Sequence, residues 1–112
     1  MNEEQKQSVQ TYESNKARFI MLRELFDQLY YEFQIQSRRK PDEGVNSYKA
    51  QKINSILKPL REMMAGEEYA QFLDLIEESR DDEAVTGKTY SDTALMLTQY
   101  KGAMKRYFSE RM

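Results

Sequence analysis

"EEYAQFLDLIEE", residues 67–78, sets Tyr69, Phe72, Leu73 and Ile76 at helical spacing. Glu67 and Glu68 open it, where the positive end of a helix dipole favours carboxylates. The stretch reads as a short helix from Glu67 to about Ser79, and Gly66 before it is a stop for the preceding helix. With this segment helical the chain has about four helices. The predicted fold is then all-α: a small helical bundle with a long N-terminal helix and a kinked second helix.

On the N-terminal side, Ile53, Ile56, Leu57, Leu60, Met63 and Met64 mark the second helix. Pro59 lies inside it. Proline lacks the N–H and crowds the preceding turn, which predicts a kink or break near Leu57. "KPDEGVNS", residues 40–47, is a loop by its Pro41 and Gly44, and Asn46 or Ser47 is placed to cap the second helix. Before the loop, Phe19, Leu22, Phe26, Leu29 and Phe33 follow a 3, 4, 3, 4 spacing, and Tyr12, Phe19, Phe26 and Phe33 recur every seven residues. A first helix from about Glu4 to Arg38 follows, about 50 Å long. Its polar start, residues 1–10, is expected to fray or to reach beyond the bundle.

On the C-terminal side, "SRDDEAVTGK", residues 79–88, reads as a charged loop. The last helix starts near Thr89–Ser91, with Thr89 and Asp92 in a variant of the capping box, and runs to about Glu110. Within it, "QYKGAMKRYF", residues 99–108, mixes aromatics with cations. On a helical wheel with Tyr100 at zero, Tyr107 falls at about −20° and Met104 at about 40°, while Lys101, Lys105 and Arg106 fall at roughly 100°, 140° and 240°. The separation favours a core-facing amphipathic helix over a base-stacking platform, which needs both residue types on one surface.

The whole chain of 112 residues is the size of one domain, residues 1–112, with a net charge of −2. A general attraction to nucleic acid or anionic membrane is not expected from that balance. The chain has no cysteine and no histidine. Thiolate chemistry, disulfides, the usual neutral-pH base and the commonest metal ligand are therefore missing, and no glycine-rich phosphate loop occurs. A Glu24–Asp27 carboxylate pair has no histidine to complete a di-iron motif. No catalysis, cofactor or metal is expected. The polar N-terminus and short apolar runs indicate a soluble cytoplasmic protein without a membrane span, and a bacterial or mobile-element origin is the expectation.

Two kinds of surface stand out. Tyr12, Phe19, Tyr30 and Tyr31 are candidate interface residues of a first helix longer than its partners, which favours a homodimer. Residues 67–83 hold eight carboxylates against Arg80, so Glu67, Glu68, Asp74, Glu77 and Glu78 form a candidate acidic docking face. The favoured function is a non-catalytic protein-interaction or regulatory module acting through a helical face. The alternative is a nucleic-acid-related protein, binding through the basic last helix or mimicking nucleic acid with residues 67–83.

Overall fold

The computed structural model describes residues 3–111, with side chains from 16 to 110. The expected fraying of residues 1–10 and the side chain of Tyr12 lie outside the described residues. In order, the elements are α1 (Glu3–Arg39), β1 (Gly44–Asn46), α2 (Ser47–Met63), a 3-10 turn (Glu68–Phe72), β2 (Val85–Thr89) and α3 (Tyr90–Arg111). The all-α four-helix bundle is thus overturned. The described residues form three α-helices and a two-stranded antiparallel sheet.

The long helices form where the spacing predicts them. Phe19, Leu22, Phe26 and Phe33 of α1 are buried in one core with Ile53, Leu57 and Leu60 of α2 and Leu97, Tyr100 and Met104 of α3. α1 and α3 run antiparallel: Phe19 stacks on Phe108 at one end, and Phe33 stacks on Tyr90 at the other. α2 remains helical through Pro59, so of the kink or break expected near Leu57 the break does not occur. The carbonyl that Pro59 leaves without a donor belongs to Ser55, on the exposed side, where water can serve it. Leu57 and Leu60, buried on either side of the proline, hold the last turns against the core.

Residues 67–79 are the main correction. A five-residue 3-10 turn replaces the third helix, and Leu73–Ser79 has no regular hydrogen-bonded structure. This strap is tied to α2 by side chains. The Asn54 amide donates to the Ile76 carbonyl (2.7 Å) and accepts from the Ile76 N–H (3.0 Å). Ser47 Oγ donates to the Ser79 carbonyl (2.9 Å) and accepts from its N–H (2.7 Å). Asn54 and Ser47 are seven helical steps apart, about 10.5 Å of axis. The strap covers that distance in the three steps from Ile76 to Ser79, about 3.5 Å each, which is the reach of fully extended chain. Leu73 and Ile76, both buried, pin its other end. A three-residue contact period suits an extended left-handed turn as well as a helix, and that is why the spacing misleads. A helix here would also carry Glu77 and Glu78 at its negative end.

The two supposed loops hold the strands. Val45 is fully buried, and Gly44 and Asn46 pair with Thr89 and Val85. One residue of β1 faces three of β2, so β2 bulges, and the Thr86 hydroxyl fills the gap by donating to the Val45 carbonyl (2.7 Å). Each strand feeds a helix directly, and each helix start is served by the other strand's approach. The N–H groups of Ser47 and Tyr48 donate to the Ala84 and Asp82 carbonyls, and those of Tyr90 and Ser91 donate to Glu43 and Pro41. Asn46 caps α2 through the Lys49 N–H, and Thr89 and Asp92 bond reciprocally at the start of α3, as the sequence predicts.

Candidate functional site

The predicted interface residues separate in space. Phe19 is buried in the core. Tyr30 is half-buried, with the Lys101 ammonium 4.3 Å from its ring centre. Tyr31 stands 69% exposed. On the same outward side of α1, Ile20, Met21 and Leu25 are 44%, 52% and 42% exposed. Their spacing turns them away from the Phe19–Phe26 seam. This apolar strip was visible in the sequence as the extra apolar residues flanking the seam, but nothing there said which of them the other helices would cover.

The five predicted acidic residues do not share a helix face, because the helix does not exist. Glu67 and Glu68 lead into the 3-10 turn, while Asp74, Glu77 and Glu78 lie exposed along the strap. Glu78 pairs with Lys58 of α2 at 3.4 Å. The strap is also gripped from α3, where the Tyr100 hydroxyl donates to the Asp74 carbonyl (2.7 Å). Burial of that phenol pushes its pKa up to about 12, with the nearby Asp74 charge adding to the rise and Arg61 opposing it. Among the described residues, no three carboxylates come together to hold a metal ion.

A groove runs between α1 and α3. Its floor is Phe19, Phe26, Met104 and Phe108, and its volume is about 320 Å³. Arg23 and Asp27 of α1 and Lys101 and Lys105 of α3 form its rims. The wheel of α3 puts Phe108 at roughly 80°, within one helical step of Lys101 and Lys105. The matching stripe on α1 is set by the antiparallel register of the two helices, which one helix's pattern does not contain. Arg106 points elsewhere: it bonds Glu110 (3.0 Å) and covers the Tyr69 ring at 5.3 Å. The basic end of α3 is therefore split between two sides of the helix.

A second, more polar hollow lies where α2 meets the 3-10 turn, lined in part by Arg61, Glu62, Glu67 and Gln71. Among the described residues the buried Tyr69 hydroxyl has no hydrogen-bond partner, and burial raises its pKa. Among the described residues, no helix is long and apolar enough to cross a membrane. Comparison with protein-family models, with curated proteins and with solved structures finds no match to this chain.

Proposed function

We propose that the chain is a non-catalytic interaction module that docks through the outward side of α1, and that its first partner is a second copy of itself. The observation that carries the reading is the strip of Ile20, Met21 and Leu25, apolar side chains left near half exposure on a helix whose opposite side is core. A two-fold pairing would lay the same strip on both subunits. The cytoplasmic assignment belongs to this proposal and rests on a chain without cysteine. The nucleic-acid reading has less support. Arg106 is occupied by Glu110 and Tyr69, and the acidic residues follow a bent strap instead of one helical face.

Sedimentation equilibrium from 1 to 100 micromolar tests the pairing (roughly the range in which modest interfaces associate). The expected result is a dimer mass at the upper end that reverts to monomer in Met21→Glu/Leu25→Glu. Both substituted side chains are exposed, so the variant keeps its circular dichroism spectrum. A monomer mass for the unaltered chain throughout that range defeats the proposal.

A further inference from the structure

We propose that the groove between α1 and α3 binds a small apolar anion: a ring or short alkyl body carrying one carboxylate, sulfate or sulfonate. The site is independent of the outward strip of α1 and stands or falls separately. Its volume, about 320 Å³, is at the small end for ligand pockets, which are mostly apolar with a few placed polar groups. The floor supplies the apolar part. Phe108 is half-buried there, stacked on Phe19 and edge-on to Tyr107, so part of its surface remains for a ligand.

The rim supplies the charge. Arg23, Lys101 and Lys105 outnumber Asp27 on a chain whose net charge is negative. Neither Arg23 nor Lys105 makes an ion pair or hydrogen bond among the described residues, so both are free to close on an anion. Lys101 is held over Tyr30, which fixes one positive charge at the groove's edge. Asp27 opposes a second negative group, and that argues for a singly charged ligand. An acidic peptide or a polynucleotide would bring several charges past the same carboxylate. Phe108 lies within one helical step of Lys101 and Lys105 on α3 itself, and α1 completes the groove with Phe19, Phe26 and Arg23.

The test uses two dyes that differ by one sulfonate: 1-anilinonaphthalene-8-sulfonate and the neutral N-phenyl-1-naphthylamine. The full chain is expected to bind the sulfonate with one-to-one stoichiometry and at least about tenfold more tightly than the neutral dye, the scale of one charge-assisted contact. Arg23→Gln/Lys105→Gln should weaken the sulfonate about tenfold and leave the neutral dye within about twofold. Phe108→Ala should weaken both dyes. If Phe108→Ala proves unfolded by circular dichroism, Phe108→Leu is used, and the loss of the ring should again weaken both dyes. Equal affinity for the two dyes, or a glutamine variant that binds the sulfonate unchanged, overturns the proposal. So does displacement of the bound sulfonate by an oligothymidylate at equimolar ratio, which would assign the groove to nucleic acid.

Discussion

Asn54 is a polar side chain among Ile53, Leu57 and Leu60, buried as completely as they are. Its amide does for Ile76 what a neighbouring strand would do, pairing one N–H and one carbonyl with no backbone partner in reach. Asn54→Ala leaves both of those groups and a cavity behind. A loss of about 3 kcal/mol in urea denaturation is expected; a loss below about 1 kcal/mol would mean that the strap finds water instead. Tyr100 holds the same strap from the other side. Its folded pKa, about 12, lies above the unfolded value near 10, so the native state keeps the proton longer. The contribution is therefore complete below about pH 10 and is lost as pH rises from there through about 12, with a limiting slope near 1.4 kcal/mol per pH unit. Tyr100→Phe should be less stable than the parent by about 1 kcal/mol at pH 8, and the gap should close or invert by about pH 11. An unchanged gap at the two pH values would show that the phenol does not stay protonated in the fold. Both residues were legible as letters in the sequence. What gives them their role is a buried position facing an unpaired segment, and that is a tertiary fact.

At the scale of elements, the helices were legible and the extended pieces were not. α1, α2 and α3 repeat their apolar spacing over many turns, so a few ambiguous residues do not blur them. β1 is three residues long, too short for any alternation to show, and it sits in a stretch whose proline and glycine say loop. β2, "VTGKT", carries three β-branched residues, a signal that its glycine and its mostly exposed side chains dilute. On α2, Ser47, Gln51, Asn54 and Lys58 fall within roughly 60° of one another beside the core stripe. That polar stripe was the available hint that α2 faces an extended chain instead of a helix. The pairing of the strands depends on Gly44, where a Cβ would land on Val85 Cγ1. Its φ is not positive, so the demand is for room and not for a left-handed backbone. Gly44→Ala should then cost about 1–2 kcal/mol by crowding. In a Val85→Ala background the same change should be neutral or stabilising by a few tenths, since alanine narrows the unfolded ensemble. Equal costs in both backgrounds would place the constraint somewhere other than this contact.

Over the whole molecule, α1 outruns everything packed against it. Phe19 faces Phe108, and α3 continues to Arg111, which at 1.5 Å per residue reaches back only to about residue 16 of α1. The helix axis nevertheless begins at Glu3. The result is a body 55 Å long and 29 by 23 Å across, with a radius of gyration of 16.1 Å, where a chain of this length packed into one compact ball would have about 13 Å. Evenly sized helices in a bundle would not give that shape; a single long helix with its partners gathered at one end does. Small-angle scattering of the Met21→Glu/Leu25→Glu variant, monomeric under the proposed pairing, should return a radius near 16 Å. The unaltered chain at high concentration should exceed it, because a second copy laid on α1 adds mass away from the centre. A variant radius near 13 Å would mean that the N-terminal turns of α1 fold back onto the body, and the 55 Å length would then not hold in solution.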